Sequence, residues 1–158
     1  GELDLAAREY ERALKKDKES FPARFNLGNV RLAQKRYDAA RSEYLQALAL
    51  RPGDPDATNN LAWVSINSGE GREDALRRMA AVLSDPVRRS PPLLDTYGVL
   101  LDRMSRPGEA AEAFAEARRR CDALDPACTD SVREEIREHE EALRARHPGP
   151  GKGPTLVK

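Results

Sequence analysis

Shifted against itself by 34 or 35 residues, this sequence repeats. Ala6, Tyr10 and Ala13 return as Ala40, Tyr44 and Ala47, then as Ala75, Met79 and Val82, then as Ala110, Phe114 and Ala117. Small, large, small at spacings of four and three lies along one face of an α-helix. An upstream partner returns with it, as Leu27–Gly28, Leu61–Ala62 and Tyr97–Gly98. Neither helix in the stretch 24–52, RFNLGNVRLAQKRYDAARSEYLQALALRP, has an apolar face broad enough to close a core alone. Helices of about 13 residues are marginal in water, so each must bury its stripe on a neighbour. A long period made of paired short helices is the signature of a solenoid.

Leu27, Gly28, Ala40, Tyr44, Ala47 and Pro52 follow the order Leu-Gly, Ala, aromatic, Ala, closing Pro, which resembles the tetratricopeptide repeat family. The resemblance runs over residues 3 to 121. It implies an all-α fold, a right-handed α-solenoid of helical hairpins with a C-terminal capping helix. Residues 1–147 are expected to form a single domain. Within it, 1–20 is a half repeat holding only a second helix, and 21–54, 55–90 and 91–124 are whole repeats. Residues 125–147 are the capping helix and 148–158 a flexible tail. The second repeat carries an extra residue in its turn, between Gly69 and Glu73. Arg31 departs from the family, which has a large apolar residue there.

Packing follows from the same residues. Gly28 and Ala40 are expected to face each other so that two backbones approach closely, with Tyr44 filling the space between hairpins. Asp54–Pro55, Ser90–Pro91 and Asp125–Pro126 each place an acceptor at an N-cap and Pro in the first turn, where its missing N–H costs nothing. The last of these predicts a helix over 126 to about 146, with Val132, Ile136 and Leu143 on a narrow stripe. In the tail, PGPGKGPTLVK, the residues Gly149, Gly151, Lys152 and Gly153 lack the spacing of a phosphate loop.

Charge narrows the function classes. Lys plus Arg and Asp plus Glu each number 27, a formal net charge of +0, which leaves no electrostatic footprint for nucleic acid. No apolar run reaches the roughly 20 residues of a membrane span. His139 and His147 are the only histidines, and both read as surface residues. Cys121 and Cys128 have no histidine at metal-ligand spacing, so they either form a disulfide across the turn at Asp125 or remain two half-buried thiols. No cofactor, metal or catalytic set is expected, and the chain reads as a non-enzyme. The sequence opens partway through a repeat. Either the array continues upstream or this end docks on another chain, with Leu3 and Leu5 partly uncovered as a surface for self-association.

Function is then expected on the surface that stacking creates. The family resemblance carries its groove onto Phe25, Asn26, Asn29 and Ala33, onto Asp56, Asn59, Asn60, Trp63 and Asn67, and onto Asp95, Thr96, Val99, Asp102 and Arg103. Asparagine amides pair with the backbone of an extended peptide, and Trp63 is the expected anchor unless it packs on a neighbouring helix. Phe25, Pro92 and Thr96 stand where relatives that clamp acidic C-termini have cations, so that specificity is not expected. The resemblance implies a scaffold for a protein or peptide partner. Two alternatives are an assembly factor of a bacterial pilus or secretion system, akin to lipoproteins of this repeat type, and an accessory domain of a larger enzyme. Localisation stays open between a bacterial cytoplasm and its periplasm or outer membrane.

Overall fold

Caps and prolines fix where the helices start. In the computed structural model, which describes residues 1–123 and 125–148, Ser20 accepts a hydrogen bond from the Ala23 amide and Asp54 one from the Ala57 amide. Pro22 and Pro55 sit in the first turns behind them. Eight α-helices result among the described residues. They are α1 (Glu2–Lys16), α2 (Phe21–Ala33), α3 (Tyr37–Leu50), α4 (Pro55–Ser68), α5 (Arg72–Leu83), α6 (Pro91–Arg103), α7 (Pro107–Asp122) and α8 (Asp130–Arg146), with a short 3-10 turn at Pro86–Arg88 between α5 and α6. The chain divides into two compact units, Gly1–Arg89 and the residues from Ser90 onward, where the sequence suggests one domain over 1–147.

In the first unit each helix packs on the next, α1 on α2, α2 on α3, α3 on α4 and α4 on α5, and α2 also touches α4. Such neighbour-to-neighbour packing is the all-α solenoid. Ala40, Tyr44, Ala47, Leu61, Ala62, Ala75 and Met79 are buried along it. The α4–α5 turn reverses on Gly69 and Gly71, both at positive φ, which absorbs the extra residue of the second repeat. In the second unit α6 packs on α7, α7 on α8, and α8 returns to α6.

Three expectations are corrected. Tyr44 does not only fill space between hairpins: a Cβ placed on Gly28 would lie 2.7 Å from Tyr44 Cε1, so the glycine makes room for the ring of its own hairpin. Gly98 does the same for Phe114, where the Cβ would come within 2.5 Å of Cε1. Asp125–Pro126 does not start the last helix. Asp125 Oδ1 accepts from the Ala127 amide and its carbonyl from the Cys128 amide, closing a turn, and Thr129 caps α8 by accepting from the Val132 amide. Ser90 precedes α6 as expected but makes no side-chain capping bond. The predicted tail at 148–158 lies outside the described residues, apart from Pro148.

Arg31 is accounted for by what it reaches. Its guanidinium pairs with Glu11 on α1 and donates to Gln34 Oε1 at 3.0 Å, while Gln34 Nε2 donates to Asp4 Oδ1 at 2.7 Å. Polar bonds therefore join α1 to α2 where an apolar residue would otherwise pack. Leu3 and Leu5 remain 43% and 58% exposed on α1.

Candidate functional site

In the first unit the candidate residues stand on α2 and α4, the first helices of successive hairpins. Asn60 Nδ2 donates to Asn29 Oδ1 at 2.8 Å, and the Tyr44 hydroxyl donates to the same oxygen at 2.7 Å. That oxygen ties two first helices to the second helix between them. Burial pushes the Tyr44 phenol well above its usual range, so it stays a donor at any ordinary pH. Two of the asparagines expected to be available for a partner are thus partly committed inside the molecule, although each amide retains bonding capacity.

The remaining residues divide by exposure. Phe25 is half-buried, stacked on Phe21 at 5.9 Å and tilted against Tyr44 at 6.1 Å, so it serves packing as well as surface. Asn26, Asn59 and Trp63 are half-buried, and Ala33, Asp56 and Asn67 are exposed. Asn67 Nδ2 donates back to the Trp63 carbonyl at 2.7 Å. Asn59 Oδ1 is buried without a hydrogen-bond partner among the described residues. The Asn29–Asn60 bond sets the two faces side by side, and neither bears a cation at the positions named, in keeping with Phe25 replacing one.

The third set does not line an open surface. Asp95, Thr96, Val99 and Asp102 on α6 are buried, Asp95 to 4% and Asp102 to 8% exposure, and only Arg103 is exposed. Helix α8 meets both carboxylates. His139 Nδ1 lies 2.9 Å from each Asp95 oxygen, Arg146 pairs with Asp102 Oδ2, and His147 Nε2 lies 3.2 Å from Oδ1. His139 also stacks on Phe114 at 6.0 Å. Burial raises the Asp95 carboxyl while His139 draws it down; the hydrogen bond and charge of Asp95 hold His139 above its ordinary value against the opposing effect of its own burial. Sequence reasoning treated His139 and His147 as surface residues. The signal for their role was a matched spacing: acids at 95 and 102, bases at 139 and 146.

Cys121 and Cys128 form a disulfide, Cα–Cα 5.2 Å, across the α7–α8 turn. No helix among the described residues is long and apolar enough to cross a membrane.

Comparison with known proteins fits this geometry. A family described as tetratricopeptide repeat matches residues 1–64. No curated protein sequence matches the chain. Among solved structures, MamA (residues 41 to the end) from Desulfovibrio magneticus RS-1 is similar with TM-score 0.68 and 17% identity, over 94% of this chain and 89% of that one. YrrB, titled a TPR protein with an unusual peptide-binding site, is similar with TM-score 0.66 and 21% identity, over 93% and 79%. The Sgt2 TPR domain from Aspergillus fumigatus follows with TM-score 0.64 and 21% identity, over 87% and 90%. The tetratricopeptide repeat match thus covers residues 1–64, and over the described residues the chain shares the all-α fold of these solved repeat proteins.

Proposed function

We propose that the chain is a protein-interaction scaffold whose first unit holds an extended peptide or a partner's segment against α2 and α4. The observation that carries this reading is the pair of adjoining first-helix faces, joined by Asn29 and Asn60, on which Trp63, Asn26 and Asn59 are only half-buried. Amides there satisfy a peptide backbone of any sequence, while a partly exposed indole supplies an anchor. The name of the structural relative with a peptide-binding site supports the class of ligand. Absence of cations at the named positions argues against an acidic C-terminus as the feature recognised. Peptides selected from a random display library on the intact chain should bind Trp63→Ala at least about tenfold more weakly, the usual cost of losing an aromatic anchor. Equal affinities, with the variant folded, would remove α4 from the site.

A second reading, the assembly factor of a bacterial envelope, is favoured by one observation, the Cys121–Cys128 bridge, because disulfides persist in oxidising compartments.

A further inference from the structure

We propose that α8 is a proton-operated latch: docked on α6 while His139 is charged, and loosened from it as that charge is lost. Three features of the second unit support this. First, α8 contributes little apolar surface, with Ile136 and Leu143 its only buried residues, so its docking leans on polar contacts more than on packing. Second, those contacts converge on two buried carboxylates two helical turns apart, Asp95 and Asp102. A buried carboxylate needs a cation or donors to be tolerated, and removing the partner leaves its burial uncompensated. Third, the partner of Asp95 is a histidine, a side chain whose charge changes near neutral pH, 2.9 Å from both oxygens and stacked on Phe114.

The groups around His139 set the direction. Asp95 faces it from α6, and Glu135 and Glu138 act on it from α8 itself. Nearby on α7, Arg118 pairs with Glu140. Asp95 holds His139 above its ordinary value of 6.5, so the stabilisation of the docked helix is fully present below that value and is lost as pH rises through the higher docked value. Asp95 is raised by burial, so its own ionisation also works against docking as pH rises. Both effects loosen α8 toward alkaline pH. At the far end Asp102 is met by both Arg146 and His147. At the near end, the Cys121–Cys128 bridge and the Arg133 Nη2 bond to the Cys121 carbonyl, 2.6 Å, anchor the start of the helix, with Arg133 also 3.6 Å from Asp122. Loosening therefore uncovers α6 without releasing α8 from α7.

Amide hydrogen exchange on the intact chain tests this. Protection factors, corrected for the intrinsic pH dependence of exchange, are compared for residues 132–146 at about pH 6 and about pH 8.5. A charge-assisted hydrogen bond predicts a fall of roughly three- to tenfold in α8 at the higher pH, with α7 unchanged, and no such fall in His139→Gln. Equal protection at both pH values, or the same fall in His139→Gln, overturns the latch. Should that variant fold poorly, the His139 imidazole can be titrated by NMR in the unmodified protein. Its midpoint must coincide with that of α8 exchange, and separate midpoints contradict the proposal.

Discussion

At the scale of single residues, the fold turns on pairs in which one member has no side chain. Gly28 and Gly98 leave room for Tyr44 and Phe114, while the middle hairpin has Ala62 and Met79 at the equivalent places, both fully buried. A rigid ring tolerates only glycine opposite it; an unbranched thioether adapts to a methyl. Gly98→Ala should therefore overpack its hairpin and lower stability by about 1–3 kcal/mol. Adding Phe114→Met should recover part of that loss, which thermal or urea unfolding of the single and double variants would measure. A double variant as unstable as the sum of its parts would deny the pairing. The repeat of small and large residues was plain in the sequence, because helical spacing preserves it. Which small residue faced which large one was not, because a stripe only says that residues share a face. Arg31 was legible as an oddity, but its partner Glu11 lies 20 residues away on another helix, beyond any local pattern.

Among the elements, the starts of α4 and α6 were readable from an acceptor placed before proline, and the start of α8 was not. Asp54–Pro55 begins α4 as its chemistry suggests. Asp125–Pro126 carries the same dipeptide, yet the Asp125 side chain is spent on the Ala127 amide two residues on, and α8 waits for Thr129. An aspartate before proline serves a turn as well as a cap, and the bridge between Cys121 and Cys128 encloses this segment. The sequence left that bridge as one of two outcomes, since spacing alone does not bring two thiols together. Closing so short a loop contributes about 2–3 kcal/mol by chain-entropy reasoning. Reduction should therefore lower the unfolding temperature of the second unit, while protein trapped with an alkylating agent before reduction should show no free thiol by mass. Two alkylated cysteines in protein from its native source would contradict the bridge and, with it, the envelope reading.

At the scale of the whole molecule, the helical repeat was visible in the sequence, but which first helices another helix covers was not. Positions on α2, α4 and α6 are equivalent within the repeat. On α2 and α4 they remain half-buried or exposed, whereas on α6 Asp95 and Asp102 are engaged by α8. Contacts between residues more than 40 apart distinguish them, and the sequence's one sign of those was the matched seven-residue spacing of acids at 95 and 102 and bases at 139 and 146. The central claim is that the open first-helix surface of the first unit is where a partner sits. Trp63 is the chain's one tryptophan, so its fluorescence reports on that surface alone. Acrylamide quenching of Trp63, measured with and without a saturating selected peptide, is predicted to fall on binding as the indole is covered. Quenching unchanged by a bound peptide would place the partner elsewhere and contradict the account.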